Sequence, residues 1–351
     1  MGKVSAAMIK KKMERVHKRM PFVPEESPTI RQPRSMKDRQ QLWLLAGLKH
    51  LKAPIVIATL VNLVFAVPGL SWEPLDHLET FAGQMEATKA EWSEGRNAIP
   101  LDVTYNPSTM DFTSPVGFAN ALYHAMRLKP GASATTAPVC STFVFMSKGS
   151  TLRSKTNPLG RPDSEACKIG NLLAARAIVL CLVCAAKGVF WCLEQPGTSC
   201  MEYHPVFQAL VRIVRVHRLR MKMGDFGAPS PKSTLLYSSH QCIDDILWHT
   251  TGPAQRGSPV QMVKHYVDSK GKPRVCGGRD LKQSQAYPAG FASALSRVRT
   301  AHLKKNHRTA VKFLRAARKT PNSFDMRPRV NSLWSKHADL DSAIKFLSLG
   351  K

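Results

Sequence analysis

From residue 75 onward, short apolar runs alternate with stretches whose apolar positions recur every three or four residues, the pattern of strands interleaved with amphipathic helices. "LDHLETFAG" (75–83) predicts a strand ending in a turn, followed by a helix through about Gly95. "NAIPLDV" (97–103) predicts a second strand, closing on Asp102. "SPVGFANALYHAMRLKPG" (114–131) predicts a helix starting at Ser114-Pro115 and stopping at Pro130-Gly131. "ASATTAPVC" (132–140) then predicts a strand, and a polar, basic loop spans 141–165. "NLLAARAIVLCLVCAAKG" reads as a long apolar helix ending at Gly188, and "VFWCLEQPG" (189–197) as an apolar strand ending at Glu194. "HPVFQALVRIVRVH" (204–217) predicts an amphipathic helix, with His204 at its start. "RLRMKMGDFG" and "KSTLLYSS" predict two more strands around a turn. "MVKHYVDSKGKPRVCGG" (262–278) predicts a hairpin reversing at Lys-Gly.

Strands alternating with helices imply an α/β fold, a three-layer sandwich around a mostly parallel sheet. Ligands of such sheets sit beyond the carboxyl ends of the strands. Gly83, Asp102, Cys140 and Glu194 all fall at or beside predicted carboxyl ends, although strand ends are also where polar residues ordinarily lie.

Residues 53–72, "APIVIATLVNLVFAVPGLSW", carry no charge and are long enough to span a bilayer, but Pro54, Asn62 and Pro68 interrupt them. A helix or strand packed on the body is favoured over membrane association, which stays open. The chain thus divides into a basic N-terminal extension (1–52), partly disordered, and an apolar segment (53–74). A domain over 75–296 with a small insertion at 238–280 follows, then a basic, partly helical C-terminal extension (297–351).

Charge sharpens this division. Of the net +27, residues 1–52 contribute 13 Lys/Arg against 4 Asp/Glu and residues 297–351 contribute 14 against 3, leaving +7 for the 244 residues between. A nearly neutral body with two basic arms attracts polyanions, nucleic acid first among them. The eight cysteines show no secreted disulfide framework, and Cys181-x-x-Cys184 sits in an apolar helical pattern without a second pair, so no metal is expected. An intracellular location, nucleus or cytoplasm, follows from that cysteine usage. The basic first 20 residues keep organelle targeting or membrane anchoring open.

Several short blocks, taken in order over about residues 76–296, resemble the DNA cytosine-5 methyltransferases, within the wider class of S-adenosylmethionine-dependent enzymes on a Rossmann-like fold. "ETFAG" resembles the turn that wraps the methionine part of the cofactor, which implies cofactor contacts from Glu79, Phe81, Ala82 and Gly83. Asp102 matches the carboxylate that accepts from the ribose hydroxyls, and Asp111 the one kept near the adenine. "APVCSTF" (137–143) resembles the Pro-Cys nucleophile block and "EQPGTS" (194–199) the Glu-Asn block. "FGAPSPKSTLLYSS" (226–239) is similar to a later strand pair of phage-like members, and "LKQSQAYPAGFASAL" (281–295) to their closing helix.

The resemblance implies methyl transfer from S-adenosylmethionine to a nucleic-acid base, cytosine carbon 5 in DNA before RNA. Carbon 5 is a poor nucleophile until a thiolate adds to carbon 6, a role that falls to Cys140. A carboxyl at ring nitrogen 3 assists the addition, a role that falls to Glu194. The base must leave the stack to reach them. Pro138 is expected on the cofactor side. Ser141, Lys148, Arg153, Lys155, Arg161 and Lys232 are expected on the substrate and its phosphates.

This chain departs from the family at three places. Val139 separates Pro138 from Cys140, Met85 stands where the second glycine of the cofactor turn would fall, and Gln195 replaces the Asn. The alternative reading is therefore a protein that keeps the fold without turnover and binds nucleic acid through its basic arms.

Overall fold

The computed structural model describes residues 36–66, 73–252, 263–277, 281 and 284–303. The chain divides into two units, Met1–Arg39 and Gln40–Lys351. Of the first, only residues 36–39 are described, as the opening turn of helix α1 (Met36–His50). The rest of the description concerns the second unit.

Six strands form one sheet: β1 (Leu75–Thr80), β2 (Ala98–Leu101), β3 (Leu128–Thr136), β4 (Phe190–Pro196), β5 (His217–Lys222) and β6 (Ser233–Ser238). Their order is β2-β1-β3-β4-β6-β5. The first four are parallel, and β6 runs against both β4 and β5. Parallel neighbours need long crossovers, which helices supply: α3 (Glu86–Ser93), α4 (Pro115–Arg127) and α5 (Glu165–Ala186). Helix α6 (Pro205–Ile213) precedes β5, and α7 (289–303) closes the unit.

The period-two alternation of the strands sorts the core into two layers. On one face Leu78, Trp191, Leu193, Leu235 and Tyr237 are buried with Phe118 and Leu122 of α4, Ile178 and Leu182 of α5, and Phe207 and Leu210 of α6. On the other, Phe190, Cys192, Met221 and Leu236 pack with Phe291, Ala294, Leu295 and Val298 of α7. Each such side chain contributes about 1.5–3 kcal/mol of transfer free energy. The molecule is α/β with a mostly parallel mixed sheet, an architecture compatible with a Rossmann-like fold.

Local chemistry explains the helix starts. Ser114 accepts from the Gly117 N–H, with Pro115 in the first turn, and Ser164 accepts from the Cys167 N–H. Gly117 is obligatory, because a Cβ there would lie 2.0 Å from the Asp111 carbonyl oxygen. Cys181 and Cys184 are buried inside α5. Among the described residues α5 is also the one helix long and apolar enough to cross a bilayer, and 67% of its most apolar window is buried in the body.

Two boundaries move. The body starts before residue 53, since Leu44, Leu48 and Leu51 join the main core. From the apolar segment, α2 (Ile55–Ala66) adds Ile57 and Val61 to the same core. The body also runs past 296, because Val298 and Arg299 of α7 are buried. The remaining parts of the terminal extensions, 1–35 and 304–351, lie outside the described residues.

Two element ends differ from expectation. Helix α4 stops at Arg127 and β3 begins immediately, so Pro130 and Gly131 lie within the strand, not at a helix stop. The β1–β3 register jumps there, from Leu75 opposite Leu128 to His77 opposite Ser133, and Gly131 supplies the positive φ of 77°. Glu194 is not the end of β4 but an interior residue opposite Leu236. In the insertion, β7 (Val263–Val267) and β8 (Pro273–Gly277) form the expected hairpin, and Asp268 accepts from the N–H groups of Lys270 and Lys272, each at 2.9 Å.

Candidate active site

The sheet reverses its build direction at β1, because β2 lies on one side of it and β3 on the other. In open α/β sheets the crevice at that switch point is where ligands bind. The residues following β1 and β3 therefore define the candidate site.

After β1 the chain makes a tight, left-handed sequence of turns. Phe81, Gly83 and Met85 all have positive φ, at 58°, 52° and 52°. Gly83 adopts that conformation freely, whereas Phe81 and Met85 do so at a cost. The Gly83 N–H donates to Asp102 Oδ2 at 3.0 Å, and Tyr105 donates its hydroxyl to the Gly83 carbonyl at 2.5 Å. Asp102 is held by further bonds from the Thr104 N–H and hydroxyl to Oδ1. Burial, and then the Asp102 charge, push the Tyr105 phenol up to about 12. The turn of β1 and the acid after β2 thus form one hydrogen-bonded unit. Phe81 stacks on Phe112 at 4.5 Å between centroids. Beside Phe112, Thr113 donates to both Asp111 oxygens, which holds this exposed carboxyl below the usual range.

Glu79 lies beneath the turn, with Oε2 accepting from the N–H and hydroxyl of Thr88 at 2.7 and 2.6 Å. Its other oxygen, Oε1, is buried with no hydrogen-bond partner. Burial pushes this carboxyl up to about 7, despite the Thr88 bonds. A buried oxygen without a partner is an expensive arrangement unless a ligand or water meets it. Ala82 is buried and its N–H donates to the Leu101 carbonyl at 3.2 Å, tying the turn to β2.

The residues after β3 bring the second half of the site. Gln195 donates to the Pro138 carbonyl at 2.8 Å and accepts from Ser199 at 2.8 Å, both bonds buried. The inserted Val139 is exposed and Cys140 is half-buried. The Cys140 carbonyl accepts from the Phe143 N–H at 2.8 Å. Glu194 is buried, with Lys232 Nζ 3.6 Å from Oε1, beyond hydrogen-bonding distance. Burial raises the Glu194 carboxyl, and Lys232 opposes that rise. Cys140 feels the same two charges. Burial, then the Glu194 field, push its thiol up to about 11, and Lys232 pulls it down. Cys140, Glu194 and Lys232 therefore share one electrostatic space.

The expected phosphate-binding set is smaller than the sequence implies. Arg153 is buried, and its guanidinium donates to the Pro158 and Cys167 carbonyls and to Asn171 Oδ1, 3.8 Å above the Phe143 ring. It is a pivot of the loop and leaves the set available to phosphates. Arg161 pairs with Asp163 at 2.5 Å, and Lys232 with Glu194. Ser141, Lys148 and Lys155 are exposed, Lys155 lying 5.5 Å above the Tyr203 ring.

Two participants carry little sequence signal. Gln195 reads as a lengthened Asn, yet it is the strut under Pro138. Tyr287 lies just before α7; its hydroxyl is enclosed and without a partner. Burial raises its phenol well above the ordinary value, with further contributions from Glu194, Cys192, Glu79 and Cys140. The "SQAY" stretch signals a helix approach but not that enclosure. A cavity of about 140 Å³ lies elsewhere, at the amino ends of β3 and β4, bordered by Gly131, Gly188, Arg299 and Leu303. A void of about 10 Å³ lies between His77, Ser133 and Ser296. No group of three or more metal-ligating side chains occurs among the described residues.

The fold defines an α/β protein whose candidate residues follow the parallel strands at the switch point. No protein-family model and no curated protein matches this chain.

Proposed function

We propose that the chain is an S-adenosylmethionine-dependent methyltransferase acting on a nucleic-acid base, with cytosine carbon 5 as the acceptor. The observation that carries this reading is that a cysteine, a buried carboxyl and a lysine 3.6 Å from it lie toward the same edge of the parallel strands as the Gly83–Asp102 turn. The fit to the cofactor rests on the unpartnered Glu79 Oε1 and on Asp102, whose carboxylate is fixed in orientation by three donors. Glu79, Phe81, Ala82, Gly83, Asp102 and Asp111 would hold it, and Pro138 would border it. When bound, S-adenosylmethionine supplies an electrophilic methyl group.

The chain's own residues do the rest. Cys140 loses its proton to water and its sulfur bonds to carbon 6 of the base, while Glu194 donates a proton at ring nitrogen 3. A carboxyl whose proton affinity is raised by burial suits that donation. Once carbon 5 carries the methyl group, its proton passes to water, the carbon–sulfur bond breaks to regenerate the thiolate, and ring nitrogen 3 returns its proton to Glu194. Lys232 holds charge balance beside Glu194 throughout.

A second reading is supported by one observation: with its thiol up at about 11, Cys140 is almost entirely protonated at neutral pH. A binding protein without turnover would tolerate that state. The deciding experiment incubates the full chain with methyl-labelled S-adenosylmethionine and a mixed pool of DNA, RNA and protein. Label in 5-methylcytosine, absent with Cys140→Ala and Glu194→Gln, supports the enzyme. Cofactor binding without transfer supports the second reading, and no cofactor binding at all overturns the site assignment.

A further inference from the structure

The loop rooted at Cys140 has an outer surface that the chemistry above does not use. Of the four Lys/Arg over residues 139–162, Arg153 is turned inward and Arg161 is paired with Asp163, which leaves Lys148 and Lys155 on the outside. The loop is built, not frayed. Arg153 anchors it from within, Ser147 donates to the Val144 carbonyl at 2.8 Å, and Thr151 to the Ser147 carbonyl at 2.9 Å. Despite these internal bonds, Val139, Phe145, Met146, Leu152 and Leu159 are exposed, Phe145 to 70%. Leu152 holds a left-handed φ of 54°, an unfavourable conformation for leucine. Apolar side chains displayed on a well-anchored loop mark a contact surface. Lys148 and Lys155 are exposed on the same segment.

We infer that this surface binds unpaired nucleotides, with Phe145 as a stacking platform and Lys148 and Lys155 on the flanking phosphates. The inference rests on the base-modifying reading of the site and names its substrate class as single-stranded polynucleotide. An aromatic ring stacks only on a base with a free face, which a continuous duplex does not offer. Two exposed lysines are also few for tracking a duplex backbone. The surface and the proposed nucleophile share one segment of chain, which turns at Cys140 where the Phe143 N–H donates to the Cys140 carbonyl. Phe145 follows Cys140 in the same short loop, so a strand stacked on it would engage a residue close in sequence to the proposed nucleophile. A lipid surface shares the apolar-plus-basic chemistry, and vesicle binding is the outcome that would point to it.

The test measures fluorescence anisotropy of the full chain with a labelled 20-nucleotide single strand, as DNA and as RNA, and with the matching duplex. Anionic phosphatidylserine vesicles form the control arm. Measurements at two salt concentrations separate stacking from the basic arms, whose contribution falls with salt. The single strand is expected to bind about tenfold more tightly than duplex, with Phe145→Ala losing about tenfold at both salts and Phe145→Trp restoring it. The DNA and RNA arms identify which polynucleotide is preferred. A Phe145→Ala affinity within twofold of the parent, equal binding of duplex, or vesicle binding as the only property that Phe145→Ala removes would overturn the inference. Because this assay needs neither cofactor nor turnover, its outcome is separate from that of the labelled transfer.

Discussion

Gln195 Nε2 lies 2.8 Å from the Pro138 carbonyl, joining the end of β4 to the segment that carries Cys140 across 57 positions of sequence. The bond is buried and Gln195 is itself held by Ser199, so the strut has one orientation. It pins the chain immediately before Val139 and Cys140. Gln195→Ala is expected to cost about 1–3 kcal/mol, the penalty of leaving a buried carbonyl unpaired. It should also speed iodoacetamide alkylation of Cys140, read by peptide mass, as the segment loosens. Unchanged stability with unchanged alkylation would remove Gln195 from this role.

Met85 caps helix α3 in a left-handed conformation, φ 52° and ψ 34°, without a side-chain capping bond. Glycine adopts this backbone without strain, at some cost from its greater freedom in the unfolded chain. Met85→Gly is expected to stabilise by about 1 kcal/mol. Urea unfolding should show a higher midpoint at constant slope. A lower midpoint would mean that the Met85 side chain contributes more than its backbone costs.

The strand-helix alternation was legible because apolar periodicity is set by burial on the two faces of one sheet. Gly83, Asp102, Cys140 and Glu194 were legible as residues at or beside strand ends; the parallel strands do turn these ends toward one edge, although Glu194 lies inside β4. Direction was not legible. Nothing local distinguishes Arg153, which turns inward under Phe143, from Lys148, which stays outside, since both read as loop cations. Pro130-Gly131 misled for a related reason: the pair ends helices, but the parallel register with β1 extends β3 across it. Tyr287 packs beside Phe190 and Cys192 through the docking of α7, a packing across more than 90 residues that no short window contains.

The Glu79 carboxyl sits at about 7 in the folded protein, against 4.5 for an exposed glutamate. The folded state therefore holds this proton more tightly than the unfolded chain. The resulting stabilisation is complete below about pH 4.5 and lost as pH rises through about 7. Glu79→Gln mimics the protonated form and can still accept from Thr88. It should match the parent near pH 4.5 and exceed its stability by a few kcal/mol at pH 8. His77, pushed down to about 4 by burial, acts in the opposite direction but in both proteins, so the difference between them isolates Glu79. A constant difference across this range would contradict the assignment.

Arg299 of α7 donates to Glu91 Oε2 at 2.6 Å and to Asp76 Oδ1 at 3.2 Å, and the Arg299–Glu91 pair is buried. This pair fixes α7 over α3. Arg299→Met leaves Glu91 buried with only Arg96 as partner and is expected to cost about 3–5 kcal/mol. Increased hydrogen exchange over 289–303 should accompany the loss. Exchange that rises uniformly over the whole sheet, with none concentrated in α7, would deny the pair its docking role.

Cys140 reports on its own neighbours. The Glu194 field raises its thiol and Lys232 lowers it, on top of the larger effect of burial that brings it to about 11. Glu194→Gln removes the opposing negative charge, so the midpoint of Cys140 alkylation against pH should move down and its rate at pH 8 should rise several-fold. Lys232→Met removes the positive charge and should move the midpoint the other way. Cys200 and Cys242, also half-buried, serve as references within the same digest. Opposite displacements at Cys140 with steady references are expected if thiol, carboxyl and ammonium form one unit. Parallel displacements at all three cysteines would mean that the variants loosen the fold, and the unit would have to be abandoned.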